Sequence, residues 1–127
     1  MDKRNQKKRH VVIVSNRLPF ILKKAEDGKI EIGKGAGGLV TAMAAVLKNQ
    51  KGIWVGWPGY AQEADSDGSM LPVIQSAASG YSVKPVMLNS YELKNYYEGF
   101  SNSILWPLFH DSTDKCMFLP EYWESYK

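Results

Sequence analysis

Arg17 follows the apolar run Val11-Val12-Ile13-Val14 with only Ser15 and Asn16 between. A planar guanidinium in a loop at the end of a strand can grip a phosphate through two parallel hydrogen bonds. Taken alone, its spacing favours a surface ion pair. Gly33-Lys34-Gly35-Ala36-Gly37-Gly38 matches the spacing G-x-G-x-x-G, which invites a dinucleotide-binding reading. That fingerprint should open directly off the first strand, whereas 18 residues separate Val14 from Gly33, and the lysine-serine/threonine ending of a P-loop is missing. What survives is more general: free amides at a helix start and the helix dipole favour an anion. Gly37 and Gly38 are therefore either a phosphate contact or simply a tight turn. Tyr96 to His110 holds five aromatic residues and a histidine. Aromatics at helical spacing mostly pack, but Tyr97 and Trp106 carry polar handles and, with Trp57, have the shape to wall a pocket for a sugar. His110 and Asp111 are adjacent, so on a helix they diverge, which favours a structural role over an acid/base pair. Asp65, Asp67 and Gly68 lack the rest of a calcium loop's ligand set and read as a solvated turn.

The elements that must position these residues are legible in outline. Val11 to Val14 is a β-branched run that reads as a strand of a parallel sheet buried on both faces. Phe20-Ile21-Leu22 and Lys29-Ile30-Glu31-Ile32, around Glu26-Asp27-Gly28, predict a β-hairpin inserted before the first helix. That helix starts near Gly38, with Leu39, Val40, Met43, Ala44, Val46 and Leu47 on one face. Gly52 to Trp57 predicts a second sheet strand stopped by Pro58-Gly59. Ala61 to Gly80 predicts a short helix or a surface connection, and Tyr81 to Leu88 a third strand that Pro85 marks as an edge or a strand start. Asn89 and Glu92 have the spacing of a capping box and open a helix through Tyr91, Leu93, Tyr96 and Tyr97. Phe100 to His110 predicts a further helical segment kinked at Pro107, and Pro120 starts a last helix. This order predicts an α/β fold, a Rossmann-like, mostly parallel sheet with flanking helices, in which ligands sit beyond the carboxyl ends of the strands. The residues to watch then lie just after Val14, Trp57 and Leu88.

The chain has 127 residues, 44% hydrophobic and 23% charged, the make-up of a globular domain rather than a disordered or fibrous one. Its formal charge of +3 is concentrated in a basic arm, residues 1–10, which carries Lys3, Arg4, Lys7, Lys8 and Arg9 against Asp2 and leaves residues 11–127 slightly acidic. With no basic stripe elsewhere, nucleic acid is not an expected partner. The lone Cys116 rules out an internal disulfide and, with no charge-free apolar run of spanning length, points to a cytoplasmic protein without a membrane segment.

In order and spacing, Val14-Ser15-Asn16-Arg17-Leu18-Pro19, Ala36-Gly37-Gly38-Leu39, Trp54-Val55-Gly56-Trp57-Pro58-Gly59 and Tyr97 to His110 resemble the amino-terminal part of the trehalose-6-phosphate synthases. The resemblance runs from Val11 onward, and Gly99 to His110 carries most of it. It implies part of the N-terminal domain of a two-domain GT-B glycosyltransferase that moves glucose, with retention, from UDP-glucose to glucose 6-phosphate. Neither a metal nor a cofactor beyond UDP-glucose as co-substrate is implied. Position by position, it makes Arg17 the arginine on the acceptor phosphate, and Trp57, Tyr97 and Trp106 acceptor-pocket residues, the tyrosine near the phosphate and the indoles against the sugar. Gly37 and Gly38 become donor-side residues whose backbone approaches the diphosphate. The family's second, nucleotide-sugar domain, with its basic pair for the leaving group, has no counterpart here, nor do a histidine and an aspartate further along the first domain. The expectation is an incomplete N-terminal domain, inactive alone, working with the missing domain or as a homo-oligomer. Two alternatives stand beside it: a relative with another phosphorylated acceptor, and a non-catalytic sugar-phosphate-binding module.

Overall fold

A computed structural model of the chain describes residues 10–35 and 38–127; the basic arm up to residue 9, Ala36 and Gly37 lie outside the described residues. The described chain divides into two compact units, one reaching to Tyr60 and taking in Asp65–Met87, the other made of Ala61–Ala64 and Leu88–Lys127.

In the first unit β1 (Val12–Arg17), β4 (Ile53–Trp57) and β5 (Ser82–Pro85) form a parallel sheet in the order β1-β4-β5. Parallel neighbours need a crossover, and α1 (Gly38–Gln50) and α2 (Met70–Ala77) supply the two here. Between β1 and α1 the expected hairpin is present, as β2 (Phe20–Lys24) paired antiparallel with β3 (Ile30–Lys34). Its turn closes through Gly28, whose φ of 81° suits a residue without Cβ. The core gathers one sheet face and the two helices around Leu47, Trp54, Met70, Ile74 and Val83, with Leu18 and Leu22 from the hairpin side. Each such fully buried side chain contributes roughly 1.5–3 kcal/mol.

Two sequence expectations are corrected. Alternation along β1 puts Ile13, Trp54 and Val83 in register on the inner face, while Val12 and Val14 are 57% and 75% exposed. A two-faced parallel sheet needs a second covering layer, and the first unit supplies one layer only. On α1 the packed stripe is Val40, Met43, Ala44 and Leu47, at the narrow spacing of zero, three, four and seven; Leu39 and Val46 flank it and are exposed. Ala61 to Gly80 holds a 3₁₀ turn (Gln62–Asp65) and α2. Asp65 accepts from the Met70 amide at 2.9 Å, and Asp67 accepts from the Ser69 amide and hydroxyl and pairs with Lys24 at 3.2 Å. These carboxylates thus serve the loop before α2. The Ser69 hydrogen bonds, more than the Lys24 charge, hold the Asp67 carboxyl below its ordinary range.

In the second unit the capping box is as the spacing predicts. Asn89 Oδ1 accepts from the Glu92 amide at 2.8 Å, and Glu92 accepts from the Asn89 amide at 2.9 Å. Glu63 accepts from the Ser90 amide and hydroxyl. Its carboxyl lies below its ordinary range, the backbone bond to Ser90 first among the causes. From α3 (Ser90–Glu92) the helix runs on as an i→i+5, π-helical stretch (Leu93–Leu105) and ends as α4 (Trp106–Phe109). The expected division near Phe100 is therefore one helical run with a change of register at Pro107. α5 (Pro120–Tyr126), with its proline in the first turn, packs on the π-helical stretch. Tyr126 stacks on Phe100 at 4.1 Å between centroids, and the Tyr122 ring lies where a Cβ on Gly99 would be. No helix among the described residues is long and apolar enough to cross a membrane.

Candidate functional site

The carboxyl end of the parallel sheet is where β1 and β4 stop together. Their register shifts between Val14 and Arg17, so that Arg17 still pairs with Trp57. The shift follows from a hydrogen-bond chain. The indole of Trp54, fully buried, donates from Nε1 to Ser15 Oγ at 2.8 Å, and that hydroxyl donates to the Arg17 carbonyl at 2.6 Å. The Leu18 amide closes on the Trp57 carbonyl at 2.8 Å. Gly56 makes the crossing possible: a Cβ there would sit 2.7 Å from the Ser15 carbonyl oxygen and 3.2 Å from both the Arg17 carbonyl carbon and the Leu18 nitrogen.

This backbone fixes where Arg17 emerges. Its guanidinium carbon stands 5.1 Å from the centre of the Trp57 ring, and Nη2 is 3.3 Å from the place a Cβ would take on Gly59, whose φ is 97°. The indole of Trp57 is itself pinned, donating to the Tyr60 carbonyl at 2.8 Å. Spacing alone favoured a surface ion pair for Arg17; among the described residues it makes none. Its guanidinium lies over an aromatic face, and its planar N–H groups have the geometry to grip a phosphate. The Tyr60 hydroxyl donates to Asp65 at 3.3 Å, and burial, with the Asp65 charge second, pushes the phenol up to about 12.

Ser15, Asn16, Arg17 and Trp54 line a cleft of about 470 Å³ together with Leu39 and Val40 of the first turn of α1. The structure thus sets Arg17 beside the start of α1, close to where glycines were expected to meet an anion. Gly38 opens that helix with no described atom within 4 Å of a Cβ built on it, and its φ is not in the left-handed region, so neither packing nor backbone demands a glycine there. Gly37 lies outside the described residues. Trp57 joins Arg17 but does not line the cleft.

Tyr97 and Trp106 both lie on the long helical run of the second unit, Tyr97 half-buried and Trp106 64% exposed. The Trp106 and His110 rings pack at a tilt, 4.0 Å between centroids, and His110 Nδ1 lies 2.7 Å from the Trp106 carbonyl. The histidine therefore caps the helix end and props the indole, and Asp111, at φ 55°, has turned out of the helix. Sequence reasoning missed Ser15 and Trp54, which act on Arg17 through the backbone. The signal was present in the interval from Trp54 to Trp57: of two indoles an odd number of places apart on one strand, one faces the core.

A parallel β-α-β sheet with a polar loop and a helix start meeting at its carboxyl edge is a Rossmann-like arrangement. The chain belongs to glycosyltransferase family 20, whose model matches residues 9–127. It is 41% identical over 115 residues to the trehalose-6-phosphate synthase of Mycolicibacterium vanbaalenii, across 91% of this chain and 23% of that protein. A solved structure described as trehalose-6-phosphate from E. coli bound with UDP-2-fluoro glucose superposes with a TM-score of 0.63 at 27% identity, over 93% of this chain and 22% of that one. An alpha,alpha-trehalose-phosphate synthase (UDP-forming) from Burkholderia xenovorans, in complex with glucose-6-phosphate, does so with a TM-score of 0.60 at 25% identity, over 93% and 23%. These neighbours are GT-B glycosyltransferases, and the matching region is their N-terminal domain. The chain spans less than a quarter of the length of each of these relatives.

Proposed function

We propose that this chain forms the acceptor side of a retaining glucosyltransferase that transfers glucose from UDP-glucose to glucose 6-phosphate, giving trehalose 6-phosphate and UDP in the cytosol. The observation that carries the reading is Arg17, a guanidinium without an ion-pair partner among the described residues, held over Trp57 beside a cleft that also takes in the first turn of α1. A phosphate there gains two charge-assisted hydrogen bonds. Trp57, Tyr97 and Trp106 are the acceptor-pocket residues of this reading: Trp106, exposed, offers a flat apolar face to a hexose, while Trp57, only 8% exposed, backs the guanidinium. Gly37 and Gly38 lie on the donor side, and the open space at Gly38 suits a backbone that a diphosphate approaches. The groups that stabilise the departing diphosphate come from the family's second domain, as a continuation of this chain or as a partner.

Calorimetry with glucose 6-phosphate tests the reading. The chain should bind it more tightly than glucose, and Arg17→Ala should weaken binding by about 10- to 100-fold, the span of a lost charge-assisted contact. No heat with any sugar phosphate overturns the proposal. Heat with glycerol 3-phosphate but none with glucose 6-phosphate reassigns the acceptor.

A further inference from the structure

Thirteen consecutive residues, Leu93–Leu105, keep the i→i+5 register. Helices of this kind occur mostly as single turns inside α-helices and concentrate at functional sites. Three features indicate what this one does. Its buried residues are Asn95, Gly99 and Ile104, steps of four and then five that follow the roughly 4.4-residue turn of an i→i+5 helix. With about 3.6 residues per turn, an α-helix would swing Ile104 half a turn away from Asn95.

The second feature is the pair Tyr97 and Trp106, nine residues apart. That interval is about two turns of an i→i+5 helix, so the two share one face, but about two and a half turns of an α-helix, which would set them on opposite faces.

The third is a set of bonds that suit the wide register and not the narrow one. The Trp106 amide donates to the Ser101 carbonyl, five residues back. The Ser103 hydroxyl donates to the Glu98 carbonyl at 2.8 Å, again five back. Pro107 has no N–H to give Ser103 in an α-helical bond, and the Ser103 carbonyl accepts instead from the Met117 amide at 2.9 Å. The α register returns with α4, which begins at Trp106, and the His110 ring packs at a tilt against the Trp106 indole four residues back.

We propose that the i→i+5 register is a positioning device for the acceptor pocket: it sets Tyr97 and Trp106 on one helix face, and Ser103 and Pro107 are the positioning residues that hold it. This rests on the reading of Tyr97 and Trp106 as acceptor-pocket residues, so its test carries a readout independent of the sugar.

In a Cys116→Ser background, Tyr97→Cys is labelled with bimane, whose fluorescence a tryptophan on the same face quenches. Quenching is expected, and Trp106→Phe should relieve it; a label no dimmer with Trp106 than with Phe overturns the shared face whatever any variant does. Ser103→Ala combined with Pro107→Ala removes the hydroxyl and restores the amide, freeing the helix to take the α register. The label should then brighten and glucose 6-phosphate affinity, read on the unlabelled double variant with Tyr97 in place, should fall about ten-fold, with helical circular dichroism retained. Quenching and affinity both unchanged, or either one changed without the other, overturns the positioning roles. If the unsubstituted chain binds no glucose 6-phosphate, the functional reading falls, while the bimane comparison still decides the register.

Discussion

Gly56→Ala joins the packing of the sheet to the placing of Arg17. The added methyl meets three backbone atoms, the Ser15 carbonyl oxygen at 2.7 Å and the Arg17 carbonyl carbon and Leu18 nitrogen at 3.2 Å. No rotamer change relieves a clash with backbone, so the end of β1 must move away from β4. Overpacking of this kind costs about 1–3 kcal/mol. Moving Ser15 also strains its bonds to the Trp54 indole and the Arg17 carbonyl, each worth about 1 kcal/mol, which puts the total at about 3–5 kcal/mol if both are lost. Urea unfolding followed by circular dichroism should show the lower midpoint, and calorimetry a weaker glucose 6-phosphate signal, because the Arg17 guanidinium moves with its backbone. Gly38→Ala is the contrast. Its methyl meets no described atom within 4 Å, and alanine suits a helix better than glycine by up to about 1 kcal/mol, so stability should hold or rise while UDP-glucose binding in a complete enzyme falls. A Gly56→Ala chain as stable as its parent, or an equal loss from Gly38→Ala, would refute the argument that one glycine serves the fold and the other the ligand.

Three further outcomes are expected. Tyr60 ionises in the native state only near pH 12, against an ordinary value of 10, so its contribution to stability is complete below pH 10 and is lost as pH rises to 12; Tyr60→Phe should flatten the alkaline fall in urea midpoint, and an unchanged slope would count against it. Gly99→Ala drives a methyl into the Tyr122 ring, whose Cε1 and Cγ stand 2.7 Å from the Cβ position; α5 should loosen at a cost of about 1–3 kcal/mol, seen as faster chymotryptic cleavage at Tyr122 and Trp123. A polypeptide of these 127 residues supplied with UDP-glucose and glucose 6-phosphate should release no UDP above background, since stabilising the leaving group is usually the largest catalytic contribution and the proposal assigns it to the family's second domain.

The parts of the fold that were legible are those whose cause is local. The hairpin announced itself through Glu26-Asp27-Gly28, the helix start at Ser90 through Asn89 and Glu92, and the end of β4 through Pro58-Gly59, because turn and cap chemistry acts within four residues. Faces were less legible, because a side chain's burial depends on layers that the pattern does not contain. Val12 and Val14 have the composition of a two-faced parallel strand and still lie exposed, and Leu39 and Val46 sit at the border of an apolar arc on α1 that proves narrower than its composition.

The candidate site divides the same way. Arg17 was legible as a cation after a strand, yet its setting was not, because the ring it lies over belongs to an indole 40 positions on. Only strand pairing brings those two together, and only the missing Cβ of Gly56 lets the strands cross closely enough. The helical run from Ser90 to Phe109 shows the opposite failure. Its residues were legible as helical, but a search tuned to 3.6 residues per turn reads Asn95, Gly99 and Ile104 as three unrelated positions and assigns Tyr97 and Trp106 to opposite sides. Their common face appears only with the wider turn, which Ser103 supports through its side chain and Pro107 through the hydrogen bond it is unable to make. A residue whose role is to withhold a bond leaves no compositional mark apart from the proline itself, which is why Pro107 reads as a kink in the sequence and acts as a register stop in the fold.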